Sequence, residues 1–449
     1  MRAPTAYFYL ILLSLGLSSC QDPTFSIEHL SVDPTNNPSV KKVSITSSDS
    51  ISVYLKLEHL RSGQVSYTHP SSPEVNHEIM LPALRPDSEY AFSVYSEGKL
   101  LTGIDTLKTE RIPTGIVNID LKRNEKESFD GYLLTQRRLV SGQAYMINSF
   151  GEVVWYQPIP GQLKLTHYTE KGEVLTLYGA PHHNNSAGDK ITTYTLSGDT
   201  VYHLDLSKLS PPLIAHHEIL EIEDDLLLLV YDTKEIPSPI DDQLVEVRSD
   251  ALVRISRGGE ILWKWSTFDV KDPEDDPHIM DHLEDWGHAN AFSFDQDGNL
   301  LVSYRDWNQI WKIDAVSGAL LWALGTNGDI SMAAKDYFSG QHSIHINRMG
   351  DYMLFDNGRE NKQSKIISFQ LKDGKANTNI SIDLPSDHYA DRMGNAILLP
   401  NDNILVCAPR SRSVLVLDQQ GSILFHVAVG IPDPYRVAYI PPFYTAESL

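Results

Sequence analysis

A chain of 449 residues is too long for one ordinary domain and suits a small module joined to a large one. Its 59 acidic and 37 basic residues leave a formal charge of −22, which excludes nucleic acid or an anionic membrane surface as the main partner. The same charge repels a small anionic ligand at long range, so an anion site must gather Arg and His locally.

The opening stretch, MRAPTAYFYLILLSLGLSSC, has one basic residue and an apolar run from Tyr7 to Leu17, too short to span a bilayer permanently. It predicts an export signal over residues 1–19. Leu17-Ser18-Ser19-Cys20 resembles a bacterial lipobox, which would make Cys20 the lipidated N-terminus, followed by a linker over residues 20–23. The plainer alternative is a secretory signal with a coincidental cysteine. Attachment to a membrane would run through that lipid only. Gln21 leans toward the outer membrane, with the periplasmic or surface face left open. The other cysteine, Cys407 in "NILVCA", reads as a buried structural thiol, and no internal disulfide can form in the mature chain.

Residues 24–110 alternate apolar and polar in short runs divided by Pro, Ser, Asn and Gly, the pattern of a small β-sandwich. "LRPDSEYAFSVY" resembles the fibronectin type III corner, with Tyr90 as its structural tyrosine.

From residue 115 to 449 the chain repeats. Six copies of a strand, a glycine turn and a strand place glycines at 151, 198, 259, 318, 374 and 421. Their separations of 47, 61, 59, 56 and 47 residues suit four-stranded blades with loop insertions, so the fold is all-β, a six-bladed β-propeller after the sandwich. Five second-type hairpins lie between the copies, and four of them open with a histidine: His167, His217 (beside His216), His288 and His342. Inner-strand ends of a propeller converge on one channel, so this periodicity predicts a ring of imidazoles. Asn290 follows His288 by two residues on the same strand face, and Arg305 in "SYR" ends the returning strand.

Imidazoles with a guanidinium and no carboxylate-rich motif suit an oxyanion, since Arg donates bidentately and His can donate, accept or attack. A structural ring is the alternative for the histidines. Three histidines could also hold zinc, but Arg305 would set a fixed positive charge beside the ion, so no metal is assigned. "DDPHIMDH" spaces His278 and His282 four apart among aspartates; without an HExxH pattern it reads as a solvated loop.

At these residues the sequence resembles the bacterial arylsulfate sulfotransferase family, the type that does not use phosphoadenosine phosphosulfate. The matching stretches are "HHEILEI", "DWGHANAF", "LLVSYRDWNQIWKIDAVSGALLWALG", "FSGQHSIHINRMGDYMLFDNG", "MGNAILLPNDNILV" and "YRVAYIPP". The resemblance implies a sandwich ahead of a six-bladed propeller. It also implies ping-pong transfer of a sulfuryl group from a phenolic sulfate donor to a phenolic acceptor, without a cofactor. The nucleophile would fall on His342, with His288, Asn290, Arg305 and one of His216 and His217 as the other site residues. His217 fits the register of His288 better, and His216 stays open. His288 would be the first candidate to protonate the departing phenolate. A homodimer is left open. So is a non-catalytic propeller that binds a sulfated ligand. A quinone-dependent propeller dehydrogenase, raised by "ALLWALG", lacks its eight blades and its Glu- and Asn-rich cation site.

Overall fold

The structure is a computed structural model that describes residues 25–116, 118–125, 127–180, 186–241 and 243–447. The export signal, Cys20 and the linker to residue 23 lie outside the described residues. Among the described residues the helical pieces are three-residue 3-10 turns, and no helix is long and apolar enough to cross a membrane.

Strand formation follows the β-branched and aromatic runs, and the sheets are antiparallel around short polar turns, apart from a short parallel pairing of Ser331–Met332 with Lys375–Ala376. Near the N-terminus one sheet holds Ile27–Pro34, Lys41–Ile51 and Glu74–Leu81. A second is built on Tyr54–His59, Gln64–Thr68 and Glu89–Ser96. Inward residues of both, among them Val43, Ile79, Leu57 and Phe92, form one apolar core. The Tyr90 hydroxyl accepts a hydrogen bond from the Arg85 amide at 2.9 Å, which closes the corner five residues upstream.

Six further sheets each supply one four-stranded blade. Their inner strands are Ala438–Ile440, Gln162–Tyr168, Ala215–Ile222, Ala289–Phe294, His342–Ile346 and Asn395–Leu398, for blades 1 to 6 in that order. All six repeat glycines sit between the third and fourth strands of a blade with φ between 71 and 90°. A left-handed turn of this kind favours glycine because it has no Cβ to clash.

Seams between neighbouring blades are packed with aliphatic side chains; Leu165 and Ile191 of blade 2, for example, meet Ile219, Leu228 and Val253 of blade 3. Each fully buried leucine there contributes roughly 1.5–3 kcal/mol.

The ring closes through strands far apart in sequence. Ala438–Ile440 pairs with Tyr132–Arg137 to give blade 1 its inner strand, and Ile119–Asn124 adds a fifth strand outside Ile423–Val429 of blade 6. Tyr444–Thr445 then joins the N-terminal sheet beside Gln64–Thr68. A two-pronged Arg85–Glu152 ion pair at 2.7 and 2.9 Å also ties that sheet to blade 1.

Cys407 is fully buried, with its thiol pKa pushed up by burial, as expected for a structural thiol. His278 and His282 flank a 3-10 turn on an exposed loop. His167 corrects the expected register: it lies near the far end of its inner strand, not at the head, and its Nε2 meets Glu218 at 2.7 Å.

Candidate active site

Inner strands of blades 3, 4 and 5 begin irregularly. Their pairing slips between Ala215 and Ile219, Ala289 and Ala291, and His342 and His345. His217, His288 and Ser343 take left-handed backbone angles of φ 58, 52 and 60° at these slips. A bulge re-aims the side chains of a strand, and a left-handed non-glycine residue costs on the order of 1–3 kcal/mol, so the fold holds this geometry against local preference.

The outcome is convergence: His217, His288, Arg305 and His342 line one cavity of 450 Å³. The His217 and His288 rings stand edge to face with centroids 4.9 Å apart. Arg305 closes the blade 4 hairpin, its amide donating to the His288 carbonyl at 3.0 Å. Its guanidinium grips Asp306 through Nε and Nη2, both at 2.7 Å, and reaches His288 Nε2 through Nη1 at 2.9 Å. Three of its five N–H groups are thus used, and two remain for a ligand. Burial lowers the Arg305 pKa, but the Asp306 hydrogen bond and charge outweigh it and leave it raised.

Tautomers follow from the partners. Asn357 donates through Nδ2 to the carbonyls of Ala390 and Met393 at 2.8 and 3.0 Å, so its Oδ1 faces His342 Nδ1 at 2.7 Å. The Gly340 carbonyl lies 3.0 Å from the same nitrogen. Both neighbours only accept, so Nδ1 carries the proton and Nε2 the lone pair. The Met393 amide donates to that Nε2 at 3.1 Å. Burial, opposed in part by the Asn357 hydrogen bond and reinforced by the charges of His288 and Arg305, lowers the His342 pKa to about 3. His342 is neutral at physiological pH.

Burial, then the neighbouring His288, His216, His342 and Arg305, holds His217 well below the ordinary histidine range. His216 does not line the cavity. It is fully buried, stacks on Tyr231 at 4.2 Å and shares a 2.8 Å Nδ1–Nδ1 hydrogen bond with His217. Its Nε2 lies 3.2 Å from the Asp250 carboxylate. Asn290 is fully buried as well, with Nδ2 donating to the Gln341 carbonyl at 2.7 Å. Its side chain fixes the backbone just ahead of His342 and is not among the residues that line the cavity.

Several lining residues had no periodic signal. Arg138, which donates to Met393 Sδ at 3.0 Å, and the exposed Arg392 join Arg305 on the cavity wall. These three arginines face two aspartates, Asp285 and Asp433, so the lining is net positive in a chain of charge −22. Asp285 accepts from His288 Nδ1 at 2.6 Å. Burial raises its pKa, but the His288 bond and the Arg305 charge leave it below the usual range. Asp285, His288 and Asp306 bring ligand-type atoms within 4.8 Å of one another, yet Arg305 bonds to His288 and Asp306 in the same space and opposes a cation there. Beneath the site, Arg436 donates to Glu218 and to the Asn290 carbonyl.

Comparison with solved structures returns low-identity likenesses. A protein of unknown function from Bacteroides caccae is 13% identical, with a TM-score of 0.39 over 69% of this chain and 98% of that one. Virginiamycin B lyase from Staphylococcus aureus, bound to quinupristin, is 12% identical, with a TM-score of 0.38 over 69% of this chain and 88% of that one. The β-propeller domain of Cps50 (Swd1) from Myceliophteria thermophila is 10% identical, with a TM-score of 0.32 over 69% and 99%. No curated protein matches the chain. The family profile named Arylsulfotransferase (ASST) matches residues 118–380, which contain His217, His288, Arg305 and His342. The chain belongs to the arylsulfotransferase (ASST) family and is a sulfotransferase enzyme on a β-propeller.

Proposed function

We propose that the enzyme moves a sulfuryl group from a phenolic sulfate ester to a phenolic acceptor in two displacements, through a sulfurylated His342. The single observation that carries this reading is the neutral His342, with its proton held on Nδ1 and its Nε2 lone pair in a cavity that it shares with Arg305 and His217.

In the first displacement the Nε2 lone pair, released by the Met393 amide, attacks sulfur. The ester S–O bond breaks and the aryloxide leaves with the electron pair. Asn357 and the Gly340 carbonyl face the Nδ1 proton and stabilise the positive charge that develops on the ring. Charge stays on the peripheral oxygens, so catalysis rests on prearranged donors, as in phosphoryl transfer. The two remaining Arg305 N–H groups and His217 Nε2 supply them, the latter in the neutral tautomer whose Nδ1 accepts the hydrogen bond of His216 Nδ1. The aryloxide takes its proton from His288 once Nε2 has taken one from solvent and released Arg305 Nη1, while Nδ1–H stays on Asp285. In the second displacement His288 recovers a proton from the acceptor phenol, whose oxygen attacks sulfur and returns the N–S electron pair to His342.

Mixing the full chain with excess nitrophenyl sulfate, without nucleotide or metal, should add the mass of one SO₃ unit to the peptide holding His342. Phenol should then discharge it. His342→Ala should lose both the adduct and nitrophenol release. A wild type that binds the ester without adduct or turnover would instead be a propeller that only captures sulfated ligands.

The lipid anchor at Cys20 is likewise proposed, on the lipobox-like sequence; Cys20→Ser should release the protein from the membrane fraction.

A further inference from the structure

A second compartment of 410 Å³ abuts the site, and the two share Ile431 and Pro432 as a common wall. Its lining includes Arg137, Arg412, Gln136 and Tyr145. In this acidic chain most arginines meet carboxylates: Arg254, Arg257, Arg348, Arg359 and Arg410 all do. Arg137 and Arg412 form no ion pair among the described residues. Arg137 spends Nη1 on the carbonyls of Gly115 and Ile116 at 2.6 and 3.1 Å, which fixes the group without neutralising it. Arg412 makes no side-chain hydrogen bond among the described residues and sits in a left-handed backbone at φ 54° that caps a 3-10 turn. Two guanidiniums without a carboxylate partner that line one compartment make it locally positive in a chain with 59 acidic residues, which suits an anion from outside.

Tyr145 adds an aromatic wall, and its hydroxyl has no partner among the described residues. The exposed Ile431 side chain forms a low apolar partition between the two basins. A phenol seated against that partition would border both basins, whose shared wall is Ile431 and Pro432.

We propose that this compartment is an acceptor subsite for an acid group, so that the preferred acceptor is a phenol with a carboxylate on a short side arm. This assignment rests on the sulfuryl-transfer reading of the neighbouring cavity. With nitrophenyl sulfate as donor, kcat/KM would be compared for phenol, 3-(4-hydroxyphenyl)propanoate and the uncharged amide of that acid. The acid should exceed its amide by at least about fivefold in the wild type. Arg412→Gln should bring that ratio close to one, and Arg137→Gln, an independent variant, should lower it. The ratio is internal to each protein, so a general loss of activity does not move it. Transfer to phenol with equal rates for acid and amide would overturn the subsite and leave the transferase reading intact. No transfer to any phenol would overturn both.

Discussion

His342 owes its tautomer to Asn357, and Asn357 owes its own orientation to two backbone carbonyls. Asn357→Ala removes the acceptor on Nδ1 and lets the ring exchange tautomers or turn. Steady-state assays should show kcat down on the order of 10²-fold, about 2.7 kcal/mol, with KM for the sulfate ester changed far less. A loss confined to KM would mean that Asn357 shapes binding instead. The depressed histidines also set a pH dependence. In the unfolded chain both His342 and His217 take a proton near 6.5, whereas His342 does so only at about 3 in the folded state and His217 stays well below 6.5. Their stabilising share is fully present above about pH 6.5 and is lost as pH falls toward 3, at roughly 1.4 kcal/mol per pH unit for each. Denaturant midpoints between pH 6 and 4 should therefore fall steeply. His342→Gln should shallow the slope.

Among the elements, the six glycine turns test the propeller turn by turn. Gly374 has open space around a built Cβ, so Gly374→Ala meets only the left-handed penalty of roughly 1–2 kcal/mol. At Gly198 the same Cβ lies 2.9 Å from the Asn37 amide nitrogen of the N-terminal region, so Gly198→Ala should lower the melting temperature markedly more. Equal shifts would mean that this contact gives way freely. These turns were legible because glycine recurs at all six of them, where φ is positive. The bulges were not, since His217, His288, Ser343 and Met393 adopt left-handed angles with side chains that disfavour them, and no composition rule marks such positions. His167 was misjudged for a related reason. Its strand begins at Gln162, so the apparent histidine head is the strand's tail. His217, His288, Arg305 and His342 could be read from register; Arg138, Arg392 and Met393 could not, because they enter the cavity from loops without periodicity.

For the whole molecule, closure decides stability. Removing residues 437–449 deletes the inner strand of blade 1 and exposes the edge of Tyr132–Arg137. Such a chain should aggregate or lose its cooperative melt, as read by size exclusion and circular dichroism. Removing residues 443–447 should keep the propeller melt and weaken only the tie to the N-terminal sheet, because Tyr444–Thr445 pairs there. Periodicity foretold six blades but not this pairing, which joins segments about 300 residues apart. The late arrival of residues 438–440 has a temporal meaning. A nascent chain still short of them already carries every histidine and arginine of the basin, yet nothing holds those groups face to face. Until residues 438–440 pair with Tyr132–Arg137, blade 1 lacks its inner strand and the ring that sets the basin's walls stays open.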